Sequence, residues 1–181
     1  SKQSYNIIFV LLMKQNNNLI VLKKKYTLNF DSFYFKCCVG KGGLTSKKRE
    51  GDKKTPRGTY KLGDLYYRKD KEKKPTTKLV IKDITPKMGW CNNSKDKKNY
   101  NRLVDLRKVN KSEKLFRKDY KYDLLIPIKY NFKKPTKGLG SCIFIHLTRN
   151  YKPTAGCIAL KEKDFLIMLK LINRNSKIII H

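Results

Sequence analysis

Apolar residues in this chain are gathered into short stretches of strand length, and lysine-rich and glycine-rich runs keep cutting them apart. That pattern restricts the fold to one built mostly from strands, since a long helix needs a sustained apolar stripe at i, i+3, i+4 and i+7. Residues 5–13 (YNIIFVLLM) and 18–22 (NLIVL), split by the polar run Lys14 to Asn17, read as two strands of a hairpin. Tyr26 to Val39 is rich in aromatic and β-branched residues and reads as further strand, as do Leu79 to Ile84, Tyr122 to Tyr130 and Ser176 to Ile180. Pro127, inside the Tyr122 run, predicts a bulge or an edge position there. Helical period is confined to Lys161–Arg174, where Phe165, Leu166, Met168, Leu169 and Ile172 share a face. Ser112 to Asp119, with a capping serine and apolar Leu115 and Phe116, predicts a second, short helix.

Between these elements lie loops. Gly40 to Gly63 (GKGGLTSKKREGDKKTPRGTYKLG) has the composition of tight turns, with a strand starting around Thr59, Tyr60 and Leu62. Lys69 to Lys78 is a solvated charge run, and Asn92 to Asn99 is a polar loop after Gly89-Trp90-Cys91. Neither an internal repeat nor a composition break divides the 181 residues, which suit one domain spanning 1–181. The formal charge of +30 attracts any polyanion diffusely. Its source is 36 Lys against 8 Arg, and arginine is the residue suited to bidentate phosphate and base recognition, so specific nucleic-acid readout is not expected. The longest apolar run, Ile7 to Met13, is too short to span a bilayer and lacks a following small-residue cleavage site, so neither a transmembrane segment nor an export signal is read. Five cysteines, an odd number without a C-x-x-C pair, argue against a disulfide scaffold, and two histidines at distant positions argue against a structural metal.

Chemistry concentrates in Cys142–Thr148 (CIFIHLT) and Pro153–Leu160 (PTAGCIAL). Strict alternation in the first places Ile143, Ile145 and Leu147 on one face and Cys142, Phe144 and His146 on the other. In the second, Cys157 follows small residues, and Gly156 directly before it lets backbone N–H groups approach a substrate carbonyl, as an oxyanion requires. Ala155 and Gly156 are therefore the candidate oxyanion backbone. A thiol of ordinary pKa is only slightly ionised at neutral pH, so Cys157 as a nucleophile needs a base nearby. His146 can supply it if Arg149 to Pro153 forms a loop that returns the chain alongside.

Four separated stretches, VGKGGLTSKKREGDKKTPRGTYKL (39–62), GWCNNSKDKKNYNRLV (89–104), SCIFIH (141–146) and PTAGCIAL (153–160), occur in the order in which they resemble the L,D-transpeptidase catalytic domain of the YkuD type, over about Cys38 to Ile180. The element EGD-x-x-TP-x-G at Glu50–Gly58, then His146, then Gly156-Cys157 carries most of that resemblance. It implies a mainly β fold, a β-sandwich of mixed sheets with one or two short helices, in which Cys157 and His146 meet over a cleft. It also implies acyl transfer on peptidoglycan stem tetrapeptides with release of the terminal D-alanine, an extracytoplasmic location in periplasm or cell wall, and no metal or organic cofactor. Transfer to a neighbouring stem amine makes a cross-link, whereas transfer to water makes an L,D-carboxypeptidase.

Many relatives of this type carry a histidine before Gly-Cys and an arginine two positions after the cysteine. Here those positions are Ala155 and Ala159, so the chain resembles the branch with a PTAGC motif, and another basic group must hold the substrate carboxylate. Arg149 is the nearest in sequence. Thr154, Trp90, Tyr100, Asn101 and Arg149 are the candidates to line the substrate cleft, with a core role the favoured reading for Trp90 and Tyr100. Glu50, Asp52 and Thr55 either line that cleft or, the favoured reading, pin the glycine-rich loop by local hydrogen bonds. Cys91 and Cys142 read as small core residues. Two non-catalytic readings compete: a basic nucleic-acid-binding module, and a wall-binding domain that kept the fold and lost turnover.

Overall fold

The computed structural model describes residues 18–109 and 111–181, so the 5–13 half of the expected hairpin lies outside the described residues. In chain order the described elements are β1 (Leu19–Lys23), β2 (Thr27–Phe30), β3 (Phe33–Cys38), β4 (Leu44–Thr45), β5 (Thr55–Pro56), β6 (Gly58–Lys61), β7 (Leu65–Tyr67), β8 (Ile81–Asp83), β9 (Met88–Trp90), β10 (Leu103–Asp105), β11 (Glu113–Lys114), β12 (Leu124–Pro127), β13 (Phe144–Leu147), β14 (Ile158–Leu160), α1 (Glu162–Leu171) and β15 (Lys177–Ile180). Ten strands form one mixed sheet in the order β6-β15-β1-β2-β3-β14-β13-β12-β7-β8, curled into a half-barrel. A separate antiparallel sheet has the order β10-β9-β11, and β4 pairs with β5. The expected mainly β fold of mixed sheets with a short helix is what forms.

Two apolar clusters lie on opposite faces of β13, as its alternation requires. Ile145 and Leu147 join the larger one, which also takes in Phe165, Met168, Leu169 and Ile172 from α1 and its end. Phe144 joins the smaller one with Trp90 of β9, Leu115, Tyr122 and Cys157. The helix forms where the period predicted it; Glu162 and Asp164 in its first turn and Lys170 in its last complement the backbone dipole.

Ser112–Asp119 is not a helix. Glu113 and Lys114 pair with β9, and the Leu115 amide donates to the Met88 carbonyl at 3.1 Å. Two apolar residues offer too little to bury along a helix face, so the backbone groups find stronger partners on a neighbouring strand. Pro127 is not on an edge strand, because β12 lies between β13 and β7, but it does mark a bulge: Leu125 pairs with Tyr66 while Ile128 bridges Leu62, so Ile126 and Pro127 face the three residues 63–65. It ends the strand opposite Phe144, and the next ladder bond to β13 is made by the Ile128 amide to Ile143 O at 2.9 Å, so the proline nitrogen faces the bulged side and no ladder bond to β13 is lost.

Phe165 has no exposed surface and fixes α1 on the sheet. Phe165→Ala is expected to lower the unfolding free energy by about 3–5 kcal/mol, measured by urea titration.

Candidate active site

Parallel pairing of β13 with β14 sets Ile145 beside Ile158 and His146 beside Ala159. One step earlier Cys157 falls beside Phe144, whose amide reaches the cysteine Sγ at 3.4 Å. Side chains two apart on a strand share a face, so His146 and Cys157 look out on the same side from adjacent strands.

The loop between them is fixed from two sides. Thr154 exchanges backbone bonds with the Val39–Lys41 segment, donating to Val39 O at 3.0 Å and accepting from the Lys41 amide at 2.8 Å. Its hydroxyl takes the Gly156 amide at 3.1 Å and donates to Cys157 O at 2.6 Å. Thr55, wholly buried, accepts from the Gly40 amide at 2.9 Å and donates to Gly156 O at 2.8 Å. Gly156 has φ +142°, and a Cβ there would come within 3.0 Å of Lys54 O, so only glycine fits this approach of the TP-x-G segment to the cysteine. Asp52 accepts from the amides of Arg49 at 2.8 Å and Lys54 at 2.9 Å and pairs with Lys48; Glu50 accepts from Ser141 Oγ at 2.7 Å and from Tyr100. Glu50, Asp52 and Thr55 therefore hold loops, the reading favoured from sequence.

His146 lies next to the Leu147 carbonyl, which is 2.9 Å from Nδ1. A carbonyl only accepts, so Nδ1 carries the proton and Nε2 keeps its lone pair. Burial lowers the imidazole pKa from 6.5 to about 4, with the charges of Lys121 and Arg117 adding to the effect. Burial likewise pushes the Cys157 thiol up to about 12, opposed by the Phe144 amide. The resting pair is thus thiol and neutral imidazole. The thiol hydrogen is directed at Cys142 O, 3.2 Å away, so its transfer to His146 requires that S–H to turn.

Both side chains line a cavity of about 430 Å³ together with Thr154, Ala155 and Ala159. The Gly156 amide is engaged by Thr154 and the residue itself is buried beneath the turn. Trp90, Tyr100 and Asn101 do not reach the cavity. All three are buried: Trp90 Nε1 donates to Asn101 Oδ1 at 2.9 Å, the Asn101 amide nitrogen spans Tyr130 O at 3.1 Å and Asn131 O at 2.8 Å, and Tyr100 Oη receives the Gly140 amide at 3.0 Å. They shape the turn at Ser141–Cys142 that feeds β13, because their polar atoms find partners only inward. Arg149 lies over the Tyr120 ring at 4.1 Å and lines a neighbouring cavity of about 370 Å³. Cations on the site cavity itself come from Arg117, Lys121 and Lys152, and Glu113 and Tyr122 line it as well. Sequence reasoning missed Glu113 and Arg117, whose segment it read as helix, and Tyr122, which it read only as the start of a buried strand. All five cysteines are free.

The fold is a curled mixed β sheet with a buried cysteine and a neutral histidine on one face of a parallel strand pair. Residues 8–180 match the L,D-transpeptidase catalytic domain family, YkuD, and the chain belongs to it. Its activity is accordingly of the peptidoglycan-modifying, L,D-transpeptidase type. Comparison with curated proteins and with solved structures gives no match.

Two outcomes follow from this geometry. Thr55→Val leaves a buried amide and carbonyl without their partner and is expected to lower stability by about 1–3 kcal/mol, whereas Thr55→Ser keeps most of it. For His146, the unfolded chain takes up a proton below pH 6.5 while the folded one resists until about 4. Stability from this group is fully present above 6.5 and falls by roughly 3 kcal/mol on acidification to pH 4. The unfolding free energy of wild type minus that of His146→Gln should therefore fall by roughly 3 kcal/mol between pH 6.5 and pH 4.

Proposed function

We propose that the protein is a peptidoglycan L,D-transpeptidase that uses Cys157 as nucleophile and His146 as general base. The observation that carries this reading is the placement of both side chains on one face of β13–β14, in one cavity, with Nδ1 committed to Leu147 O and Nε2 without a hydrogen-bond partner among the described residues. As Sγ attacks the amide carbonyl preceding the terminal D-alanine of a stem tetrapeptide, Nε2 accepts the thiol proton. Because the imidazolium is disfavoured by burial, it forms only as attack proceeds and passes its proton readily to the departing amine. The C–N bond breaks, D-alanine leaves, and a thioester remains on Cys157. An amine of a neighbouring stem then attacks the thioester, gives up its proton through His146, and restores the thiol.

The Phe144 amide, 3.4 Å from Sγ, stabilises sulfur as it gains charge. Oxyanion stabilisation falls to the Ala155–Cys157 backbone, with the Gly156 amide exchanging Thr154 Oγ1 for the substrate oxygen. Thr154 and Ala155 line the cleft, and Ala159 leaves β14 without a cation there. The positive surface retains the enzyme on an acidic wall polymer. A wall substrate places the protein outside the cytoplasm; among the described residues no helix is long and apolar enough to cross a membrane.

Incubation with purified disaccharide tetrapeptide, read by mass, tests the reading: release of D-alanine with dimer formation is expected, and release without dimer would show water as the acceptor. Cys157→Ala should abolish release and also the covalent carbapenem adduct seen by intact mass, while His146→Ala should slow release about 10²–10⁴-fold with the fold retained. Wild-type protein that releases no D-alanine and stays unmodified by carbapenem would overturn it.

A further inference from the structure

The segment between β11 and β12 contributes a set of contacts that the chemistry above leaves unused. Tyr122 is 7% exposed, and its ring meets the His146 imidazole edge-on, with centroids 5.4 Å apart and planes at 69°. On its other flank it meets Phe144 at 5.8 Å and 89°. Its hydroxyl donates to Glu113 Oε1 at 3.0 Å. Arg117 Nη1 donates to the same oxygen at 3.3 Å, and the guanidinium carbon lies 4.9 Å from the centre of the Tyr122 ring. Arg117 is itself held by Asp119 through Nε at 2.8 Å and Nη2 at 2.6 Å, a bidentate fork that fixes its plane. The Leu147 amide donates to Lys121 O at 3.0 Å, which ties this segment to β13 one residue from His146.

One hydrogen bond at Nδ1 does not by itself stop an imidazole from swinging about its ring bond, and a general base works only while its free nitrogen stays within reach of the proton it takes. A ring packed against the imidazole supplies the missing restraint. We propose that Tyr122 is the positioning residue for His146, and that Glu113, backed by Arg117, anchors Tyr122 against the imidazole. The proposal rests on the reading of His146 as base. The same ring also keeps water from the imidazole. The groups that face His146 are Tyr122 from the entry to β12, Cys157 at the entry to β14, and the charges of Lys121, Arg117 and Asp119.

Two variants separate the roles. Tyr122→Phe keeps the ring and removes the anchor, and is expected to lower kcat about tenfold with KM within about twofold; Glu113→Leu should match it, while Glu113→Gln, which can still accept from the hydroxyl, should recover most of the rate. Tyr122→Leu removes the ring and is expected to lower kcat about a hundredfold. It should also move the acid limb of the rate profile, and the His146 titration followed by NMR, from about 4 toward the ordinary value of about 6.5. His181→Gln simplifies the assignment, since the chain has 2 histidines. A Tyr122→Leu protein that keeps wild-type kcat and an unmoved His146 titration overturns the proposal; a Tyr122→Phe protein with wild-type kcat overturns the Glu113 anchor. If Tyr122→Leu does not fold, Tyr122→Met, which fills more of the space with a flexible chain in place of a ring, is judged by the same kcat and His146 titration. If wild type shows no turnover, the transpeptidase reading fails, and the NMR titrations of wild type and Tyr122→Leu judge the positioning separately.

Discussion

Parallel pairing of β13 with β14 is the constraint on which the site depends. It brings His146 level with Ala159 and leaves Cys157 one step before the ladder, beside Phe144. Neighbouring parallel strands need a connection that reverses the chain twice, commonly by way of a helix. Here Thr148 to Cys157 does so without one. The reversal relies on backbone angles that most residues avoid, at Tyr151 with φ 56° and Gly156 with φ 142°, and on hydroxyls that take up the groups such a turn leaves unpaired. Thr154 satisfies its own turn, and Thr55 reaches across from β5 to hold both Gly40 and Gly156. The TP-x-G element thus belongs to the site although it carries no chemistry: it is the clamp that keeps the cysteine turn in register with β13.

Charge is arranged in the opposite sense from what the bulk composition suggests. The chain has only 14 acidic residues against 44 basic ones, yet Glu50, Asp52, Glu113 and Asp119 are all spent on the loops around the cleft. Each fixes a loop by accepting several donors at once, which a lysine cannot do. The two reactive groups themselves are kept neutral, because both are buried and an ion pair would have to be formed away from water. The proposed proton transfer would then run between uncharged partners, in a cleft whose cations are Arg117, Lys121 and Lys152.

The alternation in Cys142–Thr148 was readable, since a period of two assigns faces wherever the strand lies, and β13 does set His146 with Phe144 and against Ile145. The period of α1 was readable for the same reason. The segment Ser112–Asp119 was not, because its local preference is weak and β9 outside it supplies the decisive partners. Trp90, Tyr100 and Asn101 sat in motifs of the family but turned inward. A motif marks residues that matter and does not say whether they touch the substrate or hold the turn that feeds β13. Arg149 was close to Cys157 along the chain, yet the loop carries it over Tyr120 and onto a different cavity.

By itself the sequence determined a mainly β chain and one amphipathic helix, because period is a local property, and its separated motifs resembled a family whose nucleophile and base fall at Cys157 and His146. Only the tertiary structure decided what surrounds those two groups. Tyr122 against the imidazole and Thr55 beneath the cysteine turn come from segments whose approach depends on strand order. Strand order is set by which faces bury together across the whole sheet, and no short stretch of residues encodes it.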